Sequence, residues 1–109
     1  MATHSIEQAL HLKFEWDVDK EKVNITKHKL NFTDACHAFS DPFQLNLYDS
    51  WHSDDEDRWV VIGEIPVTKV VIVVHTVRLH EDGSGTVRII SARRATKKER
   101  VTYLSRRQQ

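Results

Sequence analysis

Three side chains in strand-like segments of this 109-residue chain could together carry out acid–base and phosphate chemistry. Arg58 and Arg88 lie in runs rich in Val and Ile, and His75 ends another such run. An arginine in an apolar strand is unusual, because its charged head must reach water or a partner. Guanidinium groups bind phosphate, and histidine exchanges protons near neutral pH. These three residues, with Glu56 and Arg93 beside them, are therefore the candidate catalytic residues.

Each of these residues also has a structural interpretation. An arginine in a strand can lie at a sheet edge or extend its head to solvent. A hydrogen-bonded core residue is the default interpretation for His75, which ends a buried-looking strand. Alternation along the strand predicts Arg88 on one face with Ile90, and Arg93 on the other face with Ile89. The register between strands is not readable from the sequence, so a shared site is a hypothesis.

These residue types suit metal-independent cleavage of RNA. A base removes the proton of the ribose 2′-hydroxyl, and that oxygen attacks the adjacent phosphate. Arginines stabilise the charge on the phosphorane, and an acid protonates the leaving 5′ oxygen. The candidate proton carriers, which the sequence alone does not rank, are His75, His28, Glu56 and Tyr103. The chain has no P-loop, zinc-protease or serine-hydrolase motif, which removes those classes.

Positive charge is concentrated in the last fifth of the chain. Residues 88–109 hold eight Lys and Arg against a single acid, Glu99, although the whole chain has 16 basic and 16 acidic residues. Such segregation points to an anionic partner, and nucleic acid is the first candidate because binding releases counterions from phosphate. We expect Arg94, Lys97 and Lys98 to bind RNA. A tail that serves only solubility is the competing interpretation.

The composition is typical of one soluble domain, with 39% hydrophobic and 29% charged residues. We expect a flexible leader at 1–11 and a single domain at 12–109. No apolar run reaches membrane-spanning length, and no secretory signal is visible.

The single cysteine, Cys36, excludes an internal disulfide framework and fits the cytoplasm. The seven histidines show no zinc spacing, so no metal or cofactor is expected, and the acidic run at 49–57 favours a solvated loop.

The predicted fold class is α+β, an antiparallel sheet flanked by helices in the order β-α-α-β-β-β-β-α. Strands are predicted at 13–16, 44–49, 58–65, 69–76 and 86–92, the last four forming a meander. Helices are predicted near 18–29, from 31 to 41, and from 96 onward. Asp17 and Asn31 are expected caps, and Thr96 with Glu99 forms a capping box. Val101 and Leu104 are expected to dock the last helix.

Several phrases of the sequence, in order, resemble the BrnT-type ribonuclease toxins of bacterial type II toxin–antitoxin systems. The resemblance covers roughly residues 12–104. Its phrases include Phe14-Glu-Trp-Asp17, Lys27-His28, Asp41-Pro42, His52-Ser-Asp-Asp-Glu56 and Arg58-Trp59. The most specific part is its end, which runs from His75-Thr76 through Val87–Thr96 to Glu99-Arg100.

The resemblance implies a RelE-like ribonuclease fold and an RNA-cleaving toxin that inhibits translation. It implies a cognate BrnA-like ribbon-helix-helix antitoxin that neutralises the toxin, so DNA is contacted only through the antitoxin. Lys27 and His28 match the family's basic pair and are expected to contribute to RNA binding. The positions that match its strand-borne polar residues are Arg58, His75, Arg88 and Arg93.

The sequence departs from the family pattern in three places. Lys29 stands where the family usually has a glycine, which would end the first helix with a positive φ. Val18 replaces a usual proline, and the hairpin around Asp82-Gly83 is longer than in many relatives. None of these changes removes a candidate catalytic group.

A binding module without catalysis, such as a degenerate toxin that keeps its antitoxin-binding surface, is the alternative function. Its basic C-terminal helix would contact nucleic acid or an acidic partner. The catalytic interpretation requires Arg58, His75 and Arg88 to converge on one pocket, on the same side of the sheet.

Overall fold

The computed structural model describes residues 11–108, in which helices lie on both faces of a five-stranded sheet. The strands are β1 (Leu12–Glu15), β2 (Leu45–Tyr48), β3 (Trp59–Ile65), β4 (Lys69–Leu79) and β5 (Gly85–Arg94). The helices are α1 (Val18–His28), α2 (Phe32–Ala35) and α3 (Lys97–Arg107), with 3₁₀ turns at Cys36–Ser40 and Ser50–His52. The predicted α+β class is confirmed. The expected leader, 1–11, falls almost wholly outside the described residues.

The strands lie in the order β1-β5-β4-β3-β2. Strands β2 to β5 form the expected antiparallel meander, while β1 runs parallel to β5, with Phe14 opposite Val87. The predicted strands match within one or two residues, except that β4 extends to Leu79. The turn after β4 contains Gly83 at φ 89°, a conformation that glycine adopts without steric cost.

One face of the sheet carries the main hydrophobic core, against α1, α2 and the turn at Cys36–Ser40. Phe32, Val61 and Val87 are fully buried there. The backbone of β3 approaches this turn so closely that a Cβ at Gly63 would lie 2.8 Å from the Ala38 carbonyl oxygen. Glycine at position 63 therefore lets the 3₁₀ turn pack directly on the sheet.

A buried amide fixes α1 to the sheet. The side chain of Asn24 donates to the carbonyls of Leu30 and Ala92 at 2.9 and 2.8 Å, and accepts from the Ala92 amide at 3.0 Å. Ala92 lies beyond the end of the β1–β5 pairing, which stops at Arg88. Asn24 thus satisfies backbone groups that no neighbouring strand pairs on that side, and buried groups of this kind need partners.

Helix ends follow the predicted caps. The Asp17 carboxylate accepts from Asp19 and Lys20 amides, and Asn31 accepts from the Asp34 amide. Helix α1 is followed by Lys29, its C-terminal cap, which adopts the left-handed conformation (φ 56°) although it is not glycine. The second predicted helix is a single α-turn followed by a 3₁₀ turn.

Helix α3 packs on the opposite face of the sheet through a residue that the sequence did not single out as its anchor. Tyr103 is fully buried against Ile62, Val70 and Ile72, and its hydroxyl donates to Asp41. The expected docking residues, Val101 and Leu104, are instead exposed, so that prediction is wrong.

The Asp41 carboxylate joins three parts of the chain. It accepts the Tyr103 hydroxyl, the Phe43 amide at 2.8 Å and the Glu64 amide at 2.7 Å. One carboxylate therefore holds α3, β3 and the start of the connection to β2 together. No helix among residues 11–108 is both long and apolar enough to span a membrane.

Candidate active site

A β-bulge in β5 decides which arginines share a face. Arg88 pairs with Thr76, and Arg93 pairs with Ile72, two β4 residues whose side chains point the same way. Between them, Val74 and His75 pair with Ser91 and Ile89, so Ile90 is an extra residue. Such an insertion reverses the alternation of the strand. The predicted placement of Arg88 and Arg93 on opposite faces is therefore wrong, since both lie on the face away from the main core.

Arg58 and Arg93 come together in a groove of about 540 Å³ on that face. We call this the Arg58 groove. Its floor is apolar and its rim is polar. The floor includes Leu47, Val60, Ile62, Ile72, Val74 and Ile90, and the rim includes Asp49, His52, Arg58, Ser91, Arg93 and Glu99. Of the predicted catalytic residues, Arg58 and Arg93 line this groove, and its apolar floor is suited to a ribose or base.

The rim carries a histidine–carboxylate pair. His52 Nδ1 lies 2.9 Å from Asp49 Oδ2, and Asp49 also accepts the Trp51 amide at 3.2 Å. A carboxylate accepts hydrogen bonds, so Nδ1 carries the proton in the neutral ring and Nε2 is the free base. The Asp49 side chain is 17% exposed and that of His52 is 68% exposed. The carboxylate thus holds an accessible imidazole in one tautomer.

His52 and Asp49 were not among the predicted catalytic residues. His52 lies in a phrase of the family resemblance, but the acidic run around it favoured a solvated loop. The signal that could have found them is their spacing of three residues, which places the two side chains together on a single helical turn.

Arg93 is fixed by Glu99 at the rim. Its two terminal nitrogens donate to the two carboxylate oxygens of Glu99 at 2.7 and 2.9 Å. The guanidinium lowers the pKa of Glu99 to about 2, and Glu99 raises the pKa of Arg93. Glu99 also accepts the Thr96 amide in the capping box at the start of α3. Glu99 is therefore ionised at neutral pH and orients Arg93 rather than acting as a base.

His75 lies on the other face of the sheet. It is fully buried, its ring packs edge-on against Phe39 at 4.8 Å, and Nδ1 bonds the Val73 carbonyl at 3.1 Å. Burial lowers its pKa to about 4, so the ring is neutral. The expected convergence of His75 with Arg58 and Arg88 is wrong, because the sheet lies between His75 and the two arginines. The interpretation of His75 as a hydrogen-bonded core residue agrees with the structure.

Arg88 and Glu56 line a second concavity of about 440 Å³, which we call the Arg88 depression. Its residues Thr76 and Arg88 lie on the same face of the sheet as the groove, two residues along β4 and β5 from Val74 and Ile90. Its other lining residues are Glu15, Lys20, Thr76, Val77, Arg78 and Thr86. Two predicted catalytic residues are thus neighbours of the groove rather than parts of it.

The remaining candidates lie elsewhere. The predicted RNA-binding residues, Lys27, His28, Arg94, Lys97 and Lys98, are all exposed, and none is among the described residues that line the groove. Burial, together with the bond to Asp41, raises the pKa of Tyr103 to about 12. A buried phenol of this kind is unsuited to proton transfer. Within residues 11–108, no three His, Cys, Asp or Glu side chains are grouped to hold a metal ion.

Comparisons with known proteins place the chain in a family. Residues 16–99 match the model of "Ribonuclease toxin, BrnT, of type II toxin-antitoxin system". The fold is similar to the crystal structure of the Brucella abortus ribonuclease toxin BrnT, with a TM-score of 0.54 and 24% sequence identity over 80% of this chain and 99% of that one. No curated protein matches at a significant level. Since the family model covers most of the chain, the protein belongs to the BrnT family of type II ribonuclease toxins.

Proposed function

We propose that the protein is a metal-independent endoribonuclease whose active site is the Arg58 groove. The observation that carries this proposal is the pairing of His52 with Asp49 at the rim of a groove that also holds Arg58 and Arg93. A positioned base beside guanidinium groups is the set that 2′-hydroxyl attack on phosphate requires. We also propose that the fold belongs to the RelE-like class.

The positions of these groups support the following reaction. Nε2 of His52 takes the proton from a ribose 2′-hydroxyl, and Asp49 stabilises the imidazolium that forms. The 2′ oxygen bonds to phosphorus, Arg58 and Arg93 stabilise the phosphorane charge, and the bond from phosphorus to the 5′ oxygen breaks. The imidazolium returns the proton to the leaving 5′ oxygen. The products are a 2′,3′-cyclic phosphate and a free 5′-hydroxyl.

The test is cleavage of an RNA oligonucleotide by purified, antitoxin-free protein in the presence of EDTA. We expect Arg58→Ala and His52→Gln each to lower kcat by about 10²- to 10⁴-fold, the range for positioned acid–base and oxyanion-stabilising groups. His37→Gln is the matched control, since His37 is an exposed histidine remote from the lining of the groove. It is expected to cleave like the unmodified protein.

Two outcomes contradict the proposal. Loss of cleavage in EDTA excludes metal independence, and unchanged cleavage by both variants excludes the Arg58 groove as the site. No cleavage by the folded free protein favours the alternative, a binding module that uses the exposed basic side chains of α3.

Membership of a type II toxin–antitoxin family implies an antitoxin partner. We propose that this partner is a BrnA-like ribbon-helix-helix protein, and that RNA cleavage inhibits translation. Expression of the toxin alone should arrest growth and protein synthesis, and co-expression of the neighbouring small gene should relieve the arrest. We further propose that the antitoxin covers the basic segment 93–107, and a complex that leaves this segment exposed would refute this docking site.

A further inference from the structure

We infer that the Arg88 depression is a second phosphate-binding subsite, which holds the phosphate next to the scissile one on a single RNA strand. This inference rests on the proposed function and specifies its substrate as an oligonucleotide longer than a dinucleotide. It differs from the catalytic role that the sequence suggested for Arg88.

The two concavities lie one strand period apart. On β4, Val74 lines the Arg58 groove and Thr76 lines the Arg88 depression. On β5, Ile90 lines the groove and Arg88 lines the depression. Two residues of a strand span about 7 Å, so an extended RNA strand that leaves the groove along β4 and β5 passes directly over the depression.

The charges of the two concavities differ. The depression has three cations, Lys20, Arg78 and Arg88, against the two carboxylates of Glu15 and Glu56. In the Arg58 groove, by contrast, two arginines face two carboxylates. The excess of positive charge therefore lies in the depression, where it favours an anion.

Suitable donors surround that charge. Arg88 is 4.0 Å from Glu15, at the limit of an ion pair, and its side chain is 46% exposed. Thr76 adds a hydroxyl group, and a second hydroxyl, that of Thr86, lies 2.8 Å from His80 Nε2. A guanidinium that is loosely paired and flanked by hydroxyls can donate to a phosphate without first breaking a strong internal bond. Arg93, which Glu99 holds by two short bonds, has fewer free donors.

The experiment compares a dinucleotide, which has one phosphodiester, with a tetranucleotide of the same sequence context. We expect the unmodified protein to have a higher kcat/KM for the tetranucleotide. Arg88→Ala should reduce this preference by about tenfold, because one charge-assisted contact to phosphate is lost. The matched control is Lys22→Ala, which removes an exposed cation of α1 that does not line the depression, and it should keep the preference.

Salt dependence gives a second measurement. The slope of log affinity against log salt for a tetranucleotide should be shallower by about 0.7 in Arg88→Ala, the value for one phosphate contact of a single strand. Arg78→Ala is a second variant with the same expected direction, should Arg88→Ala fold poorly.

Two results would overturn the subsite. If Arg88→Ala lowers kcat/KM equally for both substrates, Arg88 acts on the scissile phosphate; if it changes neither substrate, no phosphate is bound there. The proposed function is tested separately, by whether Arg58→Ala loses cleavage of the dinucleotide. The proposed subsite and the proposed function can therefore be refuted independently of each other.

Discussion

At the scale of single residues, two histidines of the same chain have opposite environments. His52 is exposed and oriented by Asp49, whereas His75 is buried against Phe39. The sequence favoured His75, because a polar residue that ends an apolar strand stands out. His52 lies among acidic residues, where a solvated loop is the usual interpretation. Burial excludes His75 as the proton carrier, since a neutral ring without solvent access cannot exchange protons with a substrate.

The burial of His75 predicts an acid-sensitive stability. Its pKa is about 4 in the folded protein, below the ordinary value of 6.5. As pH falls from 6.5 towards 4, the unfolded chain takes up a proton that the folded chain does not. The free energy of unfolding therefore decreases through this window, by at most about 1.4 kcal/mol per pH unit.

Substitution of His75 tests the predicted loss of stability at acidic pH. We expect His75→Phe to flatten the pH dependence between 6.5 and 4 while RNA cleavage at neutral pH is retained, since the residue lies behind the sheet. Urea denaturation at a series of pH values measures the first effect and the oligonucleotide assay measures the second. A His75→Phe protein that is folded but inactive would contradict the assignment of the active site to the opposite face.

At the scale of elements, helix ends and one buried carboxylate hold the sheet and helices in place. Asn24 fixes α1 to β5, and Tyr103 fixes α3 through Asp41. Glu99 has two roles, because it caps α3 and orients Arg93 at the rim of the groove. The position of the candidate active site thus depends on the docking of α3.

The left-handed end of α1 predicts a stabilising substitution. Lys29 adopts φ 56°, which costs about 1–2 kcal/mol for a residue with a Cβ. Lys29→Gly should raise the free energy of unfolding by about 1 kcal/mol. This is a net value, because the substitution also removes the hydrogen bond from the Lys29 side chain to the Thr26 carbonyl. Lys29→Ala is the control, because it loses the same bond and keeps the strained Cβ. Urea unfolding would contradict this explanation if alanine stabilised as much as glycine.

The anchor of α3 predicts a destabilising substitution. Tyr103→Phe removes one of the three donors to a buried carboxylate, and we expect a loss of about 1–3 kcal/mol in the free energy of unfolding. Val101→Ala, at an exposed position of the same helix, should change it by less than about 0.5 kcal/mol. If the two variants lose equal stability in urea, Tyr103 is not the anchor.

At the scale of the whole molecule, charge is distributed unevenly over a neutral chain. The first turn of α3 presents Lys97 and Lys98 to solvent, beside the exposed Arg94 at the end of β5. None of these three residues lines the Arg58 groove. We therefore expect them to bind the part of the RNA that extends beyond the active site.

Charge reversal on α3 tests that contribution. Lys97→Glu with Lys98→Glu should weaken RNA affinity and reduce the salt slope by about 1.4, the value for two phosphate contacts of a single strand. Lys22→Glu with Lys29→Glu changes the net charge equally, in α1 and at its C-terminal cap, and should alter the slope less. Fluorescence anisotropy with labelled RNA measures both. Equal slopes for the two double variants would mean that the basic tail serves only solubility.

Short-range patterns in the sequence specify the helix starts and the strands of this protein. Asp17, Asn31 and Thr96 start helices where they were expected to, and alternating apolar runs form the strands of the meander. These features depend on residues a few positions apart, which the order of the chain displays directly. The family resemblance also belongs here, because it rests on phrases of the sequence.

Which side chains meet depends on the long-range pairing of the strands. The extra residue Ile90 brings Arg93 to the face of Arg88, the sheet hides His75 from Arg58, and a 3₁₀ turn brings His52 to the groove. A side chain's face depends on pairing between distant strands, and a shift of one residue reverses it. The energies that set this pairing come from packing across the whole sheet, so no local pattern records them.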